Sequence, residues 1–182
     1  LIKNHCKSCS GLELRKACIN FINKNYKSID VKDNLNKFNK NFDVITLIHV
    51  LEHLPKQVET LKEMRKKIKK NGKIIIEVPS ALDYLIFIDL PEFKKFTFWS
   101  EHLLLHTEKS LKKVLKASGF KKIRVHYFQQ YGYANHLGWC LTKKPGGHEY
   151  FKEYVDKKFD LNYRDFLIRR KQTDTLIAIA EN

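Results

Sequence analysis

Apolar residues fall into two alternating spacings along the chain, and the clearest segment is Phe42-Asp43-Val44-Ile45-Thr46-Leu47-Ile48-His49. Nearly continuous in β-branched and apolar residues, it predicts a strand covered on both faces, lying centrally in a parallel sheet. From Pro55 to Lys70 the spacing changes: Val58, Leu61, Met64 and Ile68 share one helical face, and Asn71-Gly72 is the pair that closes a helix at positive φ. Lys73-Ile74-Ile75-Ile76-Glu77-Val78-Pro79 then predicts a second buried strand, stopped by proline. Upstream, Lys7 to Glu13 reads as a short strand, a helix with Ala17, Ile19, Phe21 and Ile22 ends at Asn23-Lys24-Asn25, and Ser28 to Val31 reads as another short strand. Downstream, Thr107 caps a helix carrying Leu111, Val114 and Leu115 that Gly119 closes, and Ile123, Val125 and Tyr127 alternate with Arg124 and His126 as in a strand. Helical stretches near 149–159 and 162–171 precede a last strand, Thr173 to Ala180. Residues 80–106 break the alternation, and their Leu82-Asp83-Tyr84-Leu85-Ile86-Phe87-Ile88 run predicts a buried helical turn or an active-site lid.

Strands alternating with helices across short polar connections predict an α/β fold, a doubly wound and mostly parallel sheet with helices on both faces. One domain over 1–182 suffices, with 129–172 a helical, substrate-side segment before the last strand. At 182 residues, 43% hydrophobic and 30% charged, the chain can bury a sizeable core and is not of disordered composition. No run approaches the roughly 18 apolar residues of a membrane span, and the opening Leu1-Ile2-Lys3-Asn4-His5 lacks a signal-peptide core. A cytoplasmic location without membrane partners is therefore expected. The chain opens on Leu1, and its one methionine, Met64, lies inside a predicted helix, so a fragment of a longer protein is expected. Cys6, Cys9, Cys18 and Cys140 make no disulfide framework, and Cys6-x-x-Cys9 lacks the second pair a zinc site needs, so reduced thiols are expected. The net charge of +15 comes mostly from lysine, with only six arginines among 35 cationic residues. The densest run, Arg65-Lys66-Lys67-Ile68-Lys69-Lys70, has no interleaved aromatics for base stacking, which argues for a solvated face and against nucleic acid.

In open α/β sheets ligands bind beyond the carboxyl ends of the strands, which directs attention to Glu13, Asp33, His49 to His53 and the residues after Pro79. An acid ending a strand can accept both hydroxyls of a ribose through its two oxygens. His49-Val50-Leu51-Glu52-His53 also has the H-x-x-E-H spacing of zinc proteases. That chemistry needs both histidines on one helix, whereas a strand precedes His49 and Pro55 begins the next helix, so the protease reading is set aside.

The Phe42–Leu54 segment and the Asn71-Gly72 turn before the next strand resemble class I S-adenosylmethionine-dependent methyltransferases of the small-molecule branch, whose fourth strand reads like "FDVI…HVLEHL". Glu13 then resembles the ribose-binding acid, Leu14 the apolar residue beside adenine, Asp33 the acid near the adenine amino group, and His49 with Val50 the cofactor side of the fourth strand. His102, Thr107 to Leu111 and Ala117-Ser118-Gly119-Phe120 are similar to the family's "H…T..SL…AGF". Gln129-Gln130-Tyr131, Asn135-His136, Pro145-Gly146-Gly147-His148 and Asp174-Thr175 are similar to a subgroup's "QRY…NH…PGGH…DT", with Gln130 in place of the usual arginine. The resemblance implies a Rossmann-like fold with an antiparallel last strand, S-adenosylmethionine as cofactor, and transfer of its methyl group to a small-molecule acceptor such as a sugar or polysaccharide precursor. It implies His49, His53 and His102 as catalytic bases, and Gln129, Tyr131, Asn135 and His136 as acceptor-binding residues. The family's first strand and glycine-rich loop have no counterpart after Leu1, so an N-terminally truncated domain that folds poorly alone is expected. A divalent ion at Glu52, His53 and His102 is used by some relatives, but His49 stands where those carry an acid, and no metal is expected. The alternative function is a methyltransferase-like binding module without catalysis, or a basic RNA-associating protein.

Overall fold

Two parallel strands and the helix joining them are built by the first forty residues. The computed structural model describes residues 5–182, in two compact units, Leu1–Asn41 and Phe42–Asn182; the opening Leu1–Asn4, read above for a signal peptide and a fragment start, lies outside the described residues. In the first unit β1 (Cys9–Leu12) pairs in parallel with β2 (Ile29–Lys32), from Cys9 opposite Ile29 to Leu12 opposite Lys32. Parallel neighbours need a crossover, supplied by α1 (Lys16–Asn25), which has no fully buried residue, as its imperfect apolar spacing foreshadows.

The second unit runs β3 (Phe42–Ile48), α2 (Gln57–Lys66), β4 (Ile68–Pro79), α3 (Tyr84–Phe87), α4 (Pro91–Thr97), α5 (Glu108–Ala117), β5 (Lys121–Phe128), α6 (Tyr133–Thr142), α7 (Gly147–Tyr150), α8 (Lys157–Arg170) and β6 (Thr175–Glu181). Its sheet has the order β3-β4-β6-β5, with β6 antiparallel to both neighbours and the other strands sharing one direction. The mixed sheet with an antiparallel last strand is the one expected. Ile74, Ile76 and Val78 of β4 and Leu176, Ala178 and Ala180 of β6 are fully buried, as are Leu61, Leu111 and Leu115 of the helices. Each larger aliphatic side chain among them contributes roughly 1.5–3 kcal/mol by leaving water. Thr107 caps α5 by accepting the Ser110 N–H, while Ser110 Oγ returns a bond to the Thr107 N–H, and Gly119 turns the chain at φ +90°.

Three local expectations are corrected. The helix predicted to Lys70 ends at Lys66, because β4 already begins at Ile68, opposite Phe42. Asn71, at φ +63°, and Gly72 instead sit where the β3–β4 register shifts, and a Cβ on Gly72 would meet Ile68 Cγ2 at 2.6 Å and Asp43 O at 2.9 Å. Among the described residues β3 is an edge strand of its sheet, not a central one, and Val44 and Ile48 are about half exposed. Residues 133–142, which lie in the 129–172 segment but outside the two helical stretches predicted there, form α6. Among the described residues no helix is long and apolar enough to cross a membrane.

Candidate functional site

The strands of the larger sheet deliver their carboxyl ends to one cavity of about 240 Å³. His49 follows β3, Pro79 and Ser80 end β4, Gln130 and Tyr131 follow β5, and Asp174 and Thr175 open the antiparallel β6 at the same end. The far wall comes from α4 and α6, where Phe93 meets Trp139 edge-on at 5.1 Å and Phe96 lies 5.2 Å from the same indole. Of the sequence-derived candidates, His49, His102, Tyr131, Asn135 and His136 line this cavity together. Ser80 and Asp83 fall in the stretch after Pro79 to which the strand ends point, whereas Phe93, Phe96 and Trp139 lie in α4 and α6, whose spacing gives no sign of them.

His49 has a positive φ of +50°, which ends β3 and turns its ring toward the carboxylates. Its Nδ1 lies 3.3 Å from Glu52 Oε1 and its Nε2 3.3 Å from Glu77 Oε1, and Glu52 first, then Glu77, raises its pKa against the opposing effect of burial. A ring stabilised as imidazolium is a poor proton acceptor and a good hydrogen-bond donor. His102 is held differently. Its Nδ1 lies 2.7 Å from the Thr97 carbonyl, which can only accept, so Nδ1 donates there and the other edge of the ring is left for the cavity it lines. His53 is fixed the same way on the Glu101 carbonyl at 2.7 Å and packs against His102, with ring centres 4.9 Å apart.

Below these rings Glu52 is fully buried in a one-turn 3₁₀ segment, Leu51–His53, and its carbonyl accepts the Leu103 N–H, which draws His102 into place. His49 and His53 therefore do not share a helix turn, in keeping with the rejection of the protease spacing. Neither Glu52 oxygen has an aligned hydrogen bond, although His53 Nε2 comes within 3.8 Å of Oε1. Glu52, His53 and His102 bring one ligand atom each within 4.8 Å of one another, a donor set that can hold a divalent cation. The expectation of no metal rested on His49, and His49 instead pairs with Glu52 from the side.

The wall between β5 and α6 is pinned by Asp174. Oδ1 accepts the Gln130 N–H at 3.0 Å, and Oδ2 accepts the Tyr131 N–H and Gln129 Nε2, both at 2.9 Å. Gln129 is buried behind this wall, and its carboxamide serves Asp174 and the Tyr131 carbonyl. His136, also buried, lies 2.7 Å from the Tyr163 hydroxyl through Nδ1 and stacks on Tyr84 at 5.9 Å; desolvation lowers its pKa to about 4, so it is a neutral wall and not a base. Asp83, buried at 5% exposure, caps α3 through the Leu85 N–H, and desolvation with the nearby Asp174 charge raises its pKa to about 7. The α6 wall can stand close to α7 because Gly138 and Gly147 face each other: a Cβ on Gly138 would lie 2.4 Å from Gly147 Cα.

In the first unit, Glu13 and Asp33 follow two parallel strands and so share one sheet edge. Glu13 Oε1 accepts the Arg15 N–H at 2.8 Å, which holds its carboxyl below the ordinary range, and Leu14 beside it is 77% exposed. An acid next to an open aliphatic surface suits a nucleoside, whose ribose hydroxyls and base it can meet separately. Asp33 is paired with Lys37, 2.7 Å from Oδ1. Val50, 38% exposed, adjoins His49.

A family model described as a methyltransferase domain matches residues 1–125, and the chain belongs to that family. Its fold is that of the class I S-adenosylmethionine-dependent methyltransferases. It is similar to a SAM-dependent methyltransferase from Archaeoglobus fulgidus, at 18% identity over 95% of this chain and 75% of that one, with a TM-score of 0.58. A SAM-dependent methyltransferase from Thermotoga maritima gives 14%, 95%, 72% and 0.61 for the same measures. Phosphoethanolamine N-methyltransferase 2 of Haemonchus contortus, solved with S-adenosylmethionine, gives 14%, 95%, 43% and 0.53. No curated protein matches.

Proposed function

We propose that this protein transfers the methyl group of S-adenosylmethionine to a small-molecule acceptor seated in the cavity beyond β3, β4 and β5. The observation that carries the reading is the convergence of His49, His102, Tyr131, Asn135 and His136 on one cavity in a chain of the methyltransferase-domain family. The cofactor supplies an electrophilic methyl carbon on a sulfonium, and displacement is in line, so the protein's work is alignment, exclusion of water and removal of the acceptor's proton. The sequence resemblance assigns Glu13, Leu14 and Asp33 to the adenosine moiety, and His49 with Val50 to the cofactor side of the strand that precedes them. His102 Nε2 takes the proton from the acceptor hydroxyl or amine, while His53 braces the His102 ring. His49, set 3.3 Å from both Glu52 and Glu77, orients and donates. Tyr131, Asn135 and His136 shape the acceptor pocket, and Gln129 fixes the wall that holds them. The sugar-type acceptor comes from the sequence resemblance alone.

Calorimetric titration of S-adenosylhomocysteine tests the reading. Micromolar binding that weakens on Glu13→Ala supports it, and no binding with the chain folded overturns it. Salt-sensitive retention on RNA without cofactor binding would favour the basic RNA-associating alternative. A second reading adds a divalent ion on Glu52, His53 and His102, favoured by a buried Glu52 whose oxygens lack aligned hydrogen bonds. Such an ion would act as a Lewis acid on the acceptor oxygen. Co²⁺ titration followed by visible absorption reads it, with the signal lost in Glu52→Gln.

A further inference from the structure

Among the described residues nineteen line the cavity, and none of them is lysine or arginine, in a chain where those two types make up 35 of 182. Anion recognition has two usual means, cationic side chains and free backbone N–H groups at helix starts or turns. Several groups of the second kind are already taken here by a carboxylate of the chain itself, while the start of α7 at Gly146 has no side-chain cap. Asp83 Oδ1 takes the Leu85 N–H at the start of α3, Asp160 Oδ1 takes the Tyr133 N–H at the start of α6, and Asp174 takes the N–H groups of Gln130 and Tyr131. Arg164, which does not line the cavity, is engaged with Asp160 and with the carbonyls of Gln129 and Gln130. Of the imidazoles facing the space, His49 is matched by Glu52 and Glu77, His136 is held neutral, His102 spends its Nδ1 proton on Thr97, and His148 lies 3.9 Å from Glu149. Phe93, Phe96 and Trp139 supply the rest of the surface.

We infer that this cavity selects its acceptor by charge, admitting a ring-sized group that is neutral or carries an amine and rejecting phosphate, sulfate and carboxylate. The inference rests on the methyl-transfer reading only in calling the occupant an acceptor. An anion entering would lose its hydration and meet Asp174, joined by an ionised Asp83 above about pH 7, with no lysine or arginine among the described lining residues to replace the water it gave up. A hydroxyl finds Asn135, Ser80 and histidine partners, and an ammonium finds two carboxylates and aromatic faces. A phosphorylated or nucleotide-linked acceptor would have to leave its phosphates outside.

The test uses Trp139, which lines the cavity, as the reporter. The chain has two tryptophans, so Trp99→Phe leaves Trp139 alone. Its fluorescence is quenched with caesium, iodide and acrylamide at constant ionic strength, each normalised to free tryptophan amide. Caesium should exceed iodide by about threefold or more even though the net charge of +15 favours iodide. In the same background Asp83→Asn, which keeps the carbonyl that caps α3, and Gln130→Arg, which adds a cation at the exposed rim, should each shift the ratio toward iodide; if Asp83→Asn does not fold, Gln130→Arg decides. Iodide equal to or above caesium, a ratio unmoved by the folded variants, or no acrylamide quenching overturns the inference. Titrating the same preparation with S-adenosylhomocysteine separates the two failures, since lost cofactor binding with caesium selectivity intact strikes only the methyl-transfer reading.

Discussion

The two ends of the larger sheet carry opposite chemistry. At one end, after β3, β4 and β5, the cavity is ringed by histidines, aromatics and two aspartates with no lysine or arginine. At the other, where β4 and β5 begin and β6 ends, Arg65, Lys70, Lys121 and Lys122 gather around Glu181 and Asn182. Four of the chain's 35 cationic residues thus gather at the end away from the candidate chemistry, and none lines the cavity among the described residues. Carboxylates there are spent on lysines: Lys122 reaches Glu181 at 2.7 Å and Lys69 reaches Asp43 at 2.9 Å, both exposed. At the cavity end carboxylates are spent on backbone amides, which fixes loops in place and takes up donors that an anion would otherwise use. Net charge describes solubility and steering, whereas the site is described by where buried carboxylates find partners.

The largest effect should come from the cavity's base. His102→Gln keeps a polar group of similar reach but loses the proton acceptor, and methyl transfer to the acceptor that the parent methylates should fall about 10²–10⁴-fold, or about 3–5 kcal/mol of barrier. Cofactor affinity should stay within about a factor of three, which separates lost catalysis from lost binding. A parallel fall in both would place His102 in a structural role. Next comes the wall. Asp174→Ala strands the N–H groups of Gln130 and Tyr131 and the Gln129 carboxamide, and urea unfolding should register a loss of about 2–4 kcal/mol, the scale of several partly buried donors left unpaired.

Asp83 sharpens the comparison through pH. Its pKa is raised from 3.8 to about 7, with desolvation the main cause. Between those values the folded chain holds a proton that the unfolded chain has released, so this group's contribution falls as pH rises from about 4 to 7 and is flat above. Asp83→Asn should abolish that slope and leave the protein about 1–3 kcal/mol more stable than the parent at pH 8, less than the full shift implies because a real site relaxes. Denaturant midpoints at pH 5 and pH 8 for both proteins read this directly. Equal midpoint shifts at the two pH values would mean that the carboxyl is ionised and paired throughout.

Much of the fold was legible because local chemistry and global architecture agreed. The β-branched run of β3, the Thr107 cap, Gly119 and the alternation in β5 each name their element by spacing alone. The α2 boundary was misread because Asn71-Gly72 suits a strand irregularity as well as a helix end, and only the pairing of Ile68 with Phe42 decides between them. The α6 helix is hidden by its contents: it carries Gly138, a poor helix former, at the point where Gly147 approaches. His49, His102, Asn135 and His136 were found as site residues through resemblance, but their division of labour was not. Nothing local to His102 foretells that the Thr97 carbonyl will accept from its Nδ1, and nothing local to His49 that Glu77 of the neighbouring strand will lie 3.3 Å from its ring.

The smallest effect is expected at the basic end, and its smallness is the point. Lys121→Gln with Lys122→Gln removes two cations and the exposed Lys122–Glu181 pair, whose partners lie near the surface in high dielectric. Stability should move by no more than about 0.5 kcal/mol, the usual scale for exposed ion pairs and surface positions. Cofactor affinity and the caesium-to-iodide ratio at Trp139 should be unchanged, while elution from heparin shifts to lower salt because fewer counterions are displaced. If the double variant instead altered quenching at Trp139, the field of the basic end would reach through the sheet. The two ends could then no longer be treated as separate electrostatic environments.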